Sequence, residues 1–229
     1  MNHSPTVAGL TPERTNRLGD GVYKTLLNEL VSGAIEPGSR IMIDRLARIF
    51  NVSQTPIREA LLRLEAQGLV TKTHLVGYRA AERMTRQRFE DLYEMRLLLE
   101  PFAAQKCVER ATDEQVEKML HQADAMNGLL GQETYAAFAQ QDAELHEFIA
   151  ACSGNELLHD SLSALHSHLH LFRLQFSARG TSDALAEHDL VVSAIRDRNA
   201  PAASAAMQAH IEHSRDRLLA SYSARAGKK

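Results

Sequence analysis

The sequence predicts a mainly α-helical protein in which a small N-terminal domain with one β-hairpin precedes an all-α helical bundle. Three observations lead to this prediction. Apolar residues recur every three or four positions along most of the chain, which is the period of an amphipathic helix. Only the stretch from Leu69 to Tyr78 combines β-branched residues with a glycine turn, as hairpins do. With 229 residues, 44% of them hydrophobic, the chain is long enough for two domains.

The composition predicts a soluble, cytoplasmic protein without a membrane partner. No stretch approaches the roughly 18 consecutive apolar residues that a membrane span needs. The two cysteines, Cys107 and Cys152, form no C-x-x-C pair, which fits a reducing compartment. The formal net charge of -3 hides an asymmetry, because eleven Lys or Arg stand against eight Asp or Glu up to Arg83. The first third of the chain is therefore the part best suited to phosphate groups.

The N-terminal elements follow one another closely. Residues 1–16 lack an apolar period, which predicts a flexible arm, and a first helix is expected over 17–31. A second helix is expected over 43–50. Ser53 can cap the third helix, which Gly68 ends. Together with the hairpin, this order predicts a winged helix-turn-helix over residues 17–82.

Everything after Thr85 is predicted to be helical. Thr112 and Gln115 fit a capping box, and Gly180 with Thr181 is expected to separate two helices. With no strand candidate left, residues 83–229 should form the helical bundle. The expected segments are 85–110, 112–130, 132–151, 155–178, 182–198 and 200–224.

The third helix begins with polar residues that could enter a DNA major groove. Ser and Thr hydroxyls can hold phosphates, a glutamine can pair with adenine, and an arginine can pair with guanine or a phosphate. An ordinary helical hairpin with a solvated polar end would show the same spacing. The candidate DNA-binding residues are Ser53, Gln54, Thr55 and Arg58.

A family resemblance favours the DNA-binding interpretation. The run from Asn51 to Leu61, NVSQTPIREAL, with Pro37-Gly38 before it and Gly68-Leu69-Val70 after it, resembles the winged-helix domain of GntR-family transcription regulators. The resemblance implies that Ser53, Gln54, Thr55 and Arg58 contact operator DNA, and that His74 and Gly77 belong to the wing tip. The sequence departs from the family at Gln54, where arginine is frequent, and at Asp44.

Asp142 and His146 are candidate metal ligands in the C-terminal part. They are four residues apart in a predicted helix, so their side chains project from one face. This spacing is common by chance and proves little alone. His188 and His210 lie in later helices of the bundle, and a bundle can bring such positions around one cavity.

The C-terminal half resembles the FCD ligand-sensing domain of the FadR subgroup of GntR regulators. The resemblance implies that Asp142, His146, His188 and His210 hold one divalent metal ion, and this donor set suits Zn²⁺, Ni²⁺, Mn²⁺ or Fe²⁺. A small organic acid is the expected effector. Arg96 and Arg173 are candidates to bind its carboxylate.

The sequence therefore predicts a homodimeric DNA-binding transcription regulator, a repressor whose operator affinity an organic acid alters. One alternative is a metal-dependent hydrolase that uses the same Asp and His residues. His146-Glu147 begins an H-E-x-x-H motif, but Ala150 stands where the second histidine should be. Another alternative is a structural DNA-binding protein without a ligand.

Overall fold

The computed structural model describes residues 12–129, 135–165, 171 and 178–226, without the side chains of 12–17, 178–179 and 220–226. The chain divides into two compact units at the Ala81–Glu82 boundary, and Val31–Ala34 group with the second unit. The predicted fold class is confirmed, because one small sheet lies among helices. None of the described helices combines the length and hydropathy that would let it span a membrane.

The first unit is a winged helix-turn-helix. Its helix α1 begins at Pro12, so residues 12–16 of the expected arm are helical, and a proline suits the first turn because that position needs no amide hydrogen. Leu26, Leu30, Ile57, Leu61 and Leu64 form its fully buried centre. The elements are α1 (Pro12–Ser32), β1 (Arg40–Ile41), α2 (Ile43–Phe50), α3 (Gln54–Ala66), β2 (Val70–Thr73) and β3 (Gly77–Ala80).

The sheet contains a strand, β1, that the sequence does not predict. β2 and β3 form the expected antiparallel hairpin, with Val70 opposite Ala80. The two-residue strand β1 pairs with the other edge of β3, which gives the order β1-β3-β2. A strand this short cannot show an alternating pattern, so only the pairing reveals it.

The described part of the second unit is helical. The predicted capping box of Thr112 and Gln115 is confirmed by both of its hydrogen bonds. The predicted break at Gly180-Thr181 is wrong: both residues lie inside a helix, and Thr181 is buried. The helices in the described part of the second unit are α4 (Arg86–Arg110), α5 (Asp113–Met126), α6 (Tyr135–Cys152), α7 (Glu156–Leu165), α8 (Ala178–Arg196) and α9 (Ala200–Ala226), with a 3₁₀ turn at Asn127–Leu129.

Candidate functional sites

The turn between α2 and α3 presents the start of α3 to solvent. Asn51 closes α2 in the left-handed conformation, with φ 52°, which asparagine tolerates well. Ser53 stands at the N-cap of α3, although its side chain makes no capping hydrogen bond. Because the opposite side of α3 is buried in the core, Gln54, Thr55 and Arg58 remain exposed on the outer side.

Gln54 is hydrogen-bonded both to Asp44 of α2 and to Arg58 of α3. The Gln54 Nε2 atom donates to Asp44 Oδ1 at 2.6 Å, and Arg58 Nη2 donates to Gln54 Oε1 at 3.0 Å. From the sequence alone, Asp44 is only a departure from a family pattern. The structure therefore joins it to the candidate DNA-binding residues.

The wing carries the other two candidates. His74 is exposed in the turn between β2 and β3. Gly77 opens β3 with φ 98°, a conformation that L side chains rarely adopt, so this glycine sets the shape of the turn. Leu75, next to His74, has φ 63° and is 93% exposed.

The second unit brings all four predicted metal ligands into one buried cluster. α6 supplies Asp142 and His146 from one face, α8 supplies His188, and α9 supplies His210. One ligand atom of each residue lies within 4.8 Å of the others. His188 Nε2 is 3.2 Å from Asp142 Oδ1 and 3.3 Å from His146 Nε2. We call these four residues the Asp/His cluster.

Two carboxylates outside the cluster orient two of its three histidines. His146 Nδ1 is 2.5 Å from Glu100 Oε2, and His210 Nδ1 is 2.8 Å from Glu187 Oε2. When each Nδ1–H donates to its carboxylate, the lone pair of Nε2 faces the cluster. This arrangement of histidine and outer carboxylate is the usual support of a metal-bound imidazole.

The electrostatics of the cluster also fit a cation. Burial and then the nearby His188 lower the pKa of His210 to about 3, so His210 is neutral at pH 7, as a metal ligand must be. Burial raises the pKa of Glu187, but hydrogen bonds from His210 and Arg217 outweigh it and lower the pKa to about 2. The Nε2 of His188 faces the cluster, whereas its buried Nδ1 has no hydrogen-bond partner among the described residues.

Of the two candidate effector-binding arginines, the structure describes one. Arg96 is fully buried on α4, and its Nε donates to Glu100 Oε1 at 2.5 Å, so Glu100 joins Arg96 to His146. Arg173 lies outside the described residues. The roles of Glu100 and Glu187 were not predicted from the sequence. The available signals were the Arg96–Glu100 spacing of four and the position of Glu187 beside His188.

The local structure disfavours a hydrolase. Glu147, which would be the general base of an H-E-x-x-H motif, is exposed and accepts a hydrogen bond from Ser163 at 2.8 Å. It therefore points away from the buried Asp/His cluster.

Comparison with known proteins gives matches along most of the chain. Residues 18–79 match the gntR family of bacterial regulatory proteins, and residues 91–213 match the FCD domain. The chain is 30% identical to the Nta operon transcriptional regulator of Aminobacter aminovorans, covering 82% of this chain and 89% of that protein. It is 25% identical to the transcriptional repressor GlaR of Escherichia coli, covering 82% and 90%. Its fold is similar to that of E. coli McbR/YncC, with a TM-score of 0.66 at 19% identity over 90% of this chain and 98% of that one.

Proposed function

Because the chain belongs to the GntR family of bacterial regulatory proteins and carries an FCD domain, we propose that it is a repressor. A small organic acid alters its affinity for operator DNA. The acid binds at or near a divalent metal ion in the second unit. Members of the family are transcription regulators and not enzymes, so the hydrolase alternative is excluded. Bacterial operators lie in the cytoplasm, and the proposal places the protein there.

The DNA-binding half of the proposal is supported by the exposed start of α3. In a winged helix-turn-helix the second helix enters the major groove with its first residues against the bases. We propose that Gln54 and Arg58 read bases, that Ser53 and Thr55 hold phosphates, and that His74 and Gly77 approach the backbone from the wing. Operators with two half-sites require two such units, so the proposed repressor acts as a homodimer.

The observation that supports a metal most directly is the buried Asp/His cluster with its outer carboxylates. One carboxylate and three imidazoles suit Zn²⁺, Ni²⁺, Mn²⁺ or Fe²⁺. Such an ion supplies Lewis acidity, which attracts an anionic ligand. Glu100 and Glu187 hold His146 and His210 in the orientation that binding needs.

An organic acid is the proposed effector because the surroundings of the cluster hold cationic and hydroxyl groups. Arg96 lies near the ring of Tyr93, at 5.4 Å from the guanidinium carbon to the ring centroid. Burial, and after it the charge of Asp142, raises the pKa of Tyr135 further above neutral pH, so its hydroxyl can donate a hydrogen bond. We propose that both Arg96 and Arg173 bind the effector carboxylate. An effector alters DNA affinity only if it binds the two states of the regulator differently.

The affinity of the Arg58→Ala variant for operator DNA tests the proposed DNA-binding role of α3. DNA fragments that the wild type selects from a random library serve as operators, and affinity is measured at fixed salt because salt alone changes it strongly. We expect Arg58→Ala to bind them about tenfold more weakly. Arg86→Ala, which removes an exposed arginine of the second unit, is the matched control and should bind normally. Equal affinity of wild type and Arg58→Ala would contradict the assignment.

A ligand screen tests the proposed response of the protein to an organic acid. Metal-loaded protein is screened for thermal stabilisation by mono-, di- and hydroxycarboxylic acids, because a ligand of the native state raises the unfolding temperature. Acids that stabilise the protein are then titrated into the operator complex. We expect one class of acid to change operator affinity in the wild type and to have much less effect in Arg96→Lys, which keeps the charge but loses the planar fork. A regulator without a ligand would show no acid dependence in either measurement.

A further inference from the structure

Three exposed side chains of the first unit form one hydrogen-bonded chain across the turn of the helix-turn-helix. Asp44 lies in the first turn of α2, Gln54 is the first residue of α3, and Arg58 follows one helical turn later. Gln54 donates to Asp44 at 2.6 Å and accepts from Arg58 at 3.0 Å. A negative and a positive group therefore hold one neutral amide between them.

This chain determines which way the Gln54 amide faces. The amide nitrogen can only donate and the amide oxygen can only accept. A reversed amide would set its oxygen against the Asp44 carboxylate and its nitrogen against the Arg58 guanidinium, and both contacts would be repulsive. Of the two orientations, only the observed one satisfies both partners.

Asp44 is an unexpected residue on this surface if affinity is the only requirement. DNA binding gains most of its affinity from cations that neutralise phosphates, and a carboxylate beside them weakens binding to every sequence. The contribution of Asp44 must therefore lie in something other than affinity. Its hydrogen bond to Gln54 offers such a contribution.

We infer that Asp44 is a specificity-determining residue, which fixes the Gln54 amide for the readout of one base pair. The inference rests on the proposed DNA-binding function of α3. Each polar atom of the Gln54 amide retains one further hydrogen-bonding position, because the nitrogen has two hydrogens and the oxygen two lone pairs. These two positions match the N7 acceptor and the N6 donor of an adenine in the major groove. Asp44 is a positioning residue that acts through Gln54.

Removal of Asp44 should raise the affinity for DNA of any sequence and lower the discrimination between base pairs. Without Asp44, the protein loses a negative charge near the phosphates, so it should bind unrelated DNA more tightly. At the same time the Gln54 amide becomes free to rotate and can accept or donate toward other bases. Preference for adenine at that position should fall by about five- to tenfold, within the range that a bidentate pair supplies.

Selection from a random duplex library followed by sequencing tests this inference on the full-length protein. Asp44→Ala should broaden the base preference at one position of each half-site and raise the affinity for unrelated DNA. Asp44→Asn keeps an acceptor oxygen for Gln54 without the charge, so it should retain the base preference. Asp20→Ala is the charge-matched control, because Asp20 is also exposed but pairs with Arg63 instead. It should keep the wild-type preference.

A double variant separates positioning from a general effect on folding. If Asp44 acts through Gln54, Asp44→Ala should change the base preference in the wild type but not further in the Gln54→Ala background. An unchanged preference in Asp44→Ala, or an equal change in both backgrounds, would overturn the inference while leaving DNA binding intact. A wild type that enriches no sequence at all would instead overturn the proposed function, and the inference with it.

Discussion

The two units each contain a hydrogen-bonded chain of charged and polar side chains, but the surroundings of the two chains are opposite. In the first unit, Asp44, Gln54 and Arg58 are exposed, so water competes for every bond. In the second unit, Glu100 bridges Arg96 and His146, and all three are buried. The same types of bond therefore carry very different energies, because charges interact more strongly where water is excluded.

The difference indicates what each chain can do. An exposed chain can exchange a bond with water for a bond with a DNA base at little cost. A buried chain cannot release one member without leaving a charge unpaired in the interior. The exposed chain of the first unit is therefore suited to contact with different DNA bases. The buried chain of the second unit is suited to holding the ligand atoms of the Asp/His cluster in fixed positions.

The largest expected effect is loss of bound metal from the second unit. His188→Ala and His210→Ala each remove one of the four clustered donors, so purified protein should lose most of its divalent metal and unfold at a lower temperature. Elemental analysis provides the measurement. His213→Ala is the control, because His213 is exposed and its Nδ1 lies 3.1 Å from the outer carboxylate of Glu187, outside the four clustered donors. Full metal occupancy in both cluster variants would refute the proposed donor set.

Breaking the buried chain should destabilise the second unit strongly. Glu100→Ala leaves Arg96 charged and without this partner, which should lower the free energy of unfolding by about 3–5 kcal/mol. Urea unfolding followed by circular dichroism measures it. The double variant Arg96→Met with Glu100→Leu removes both charges and should lose less. A Glu100→Ala protein as stable as the wild type would show that water reaches this chain.

Acid should weaken the second unit of metal-free protein. The pKa of His210 is about 3 when folded against 6.5 in the absence of structure. Below pH 6.5 the unfolded chain therefore takes up a proton there that the folded chain does not, and stability falls as the pH drops toward 3. Glu187 acts in the same direction between about pH 4.5 and 2. Urea midpoints between neutral pH and about pH 5 should fall less steeply in His210→Gln.

The smallest effect is expected at an exposed ion pair of the first unit. Asp20 and Arg63 are 2.6 Å apart, but both side chains are largely in solvent. Asp20→Ala should therefore lower the free energy of unfolding by only about 0–1 kcal/mol. A loss as large as that of Glu100→Ala would mean that burial does not explain the contrast between the two units.

Features with a local cause could be predicted from the sequence. Helical periodicity located the helices, and the pairing of Thr112 with Gln115 predicted a capping box that the structure contains. The residues of the Asp/His cluster can also be named from the sequence, because the spacing of Asp142 and His146 suggests two of them and a family resemblance implies the full set of four. The structure brings these four together.

Features that depend on distant neighbours could not be predicted. Glu100 and His146 are 46 positions apart, and nothing in either local sequence indicates that they meet. Strand β1 exists only because β3 lies beside it. Gly180 and Thr181 resemble a helix break, yet the packing of Thr181 outweighs the roughly 1 kcal/mol that a glycine costs a helix.

The depth of the Asp/His cluster also sets a time scale. All four side chains are at most 6% exposed, so an ion held there can leave only when the bundle opens locally. Such openings become rarer as the free energy of opening approaches that of complete unfolding. The identity of the resident ion would then record which metal was available while the chain folded. An organic acid that reaches the ion would need the same local opening, so the rate of opening would also limit the response to the proposed effector.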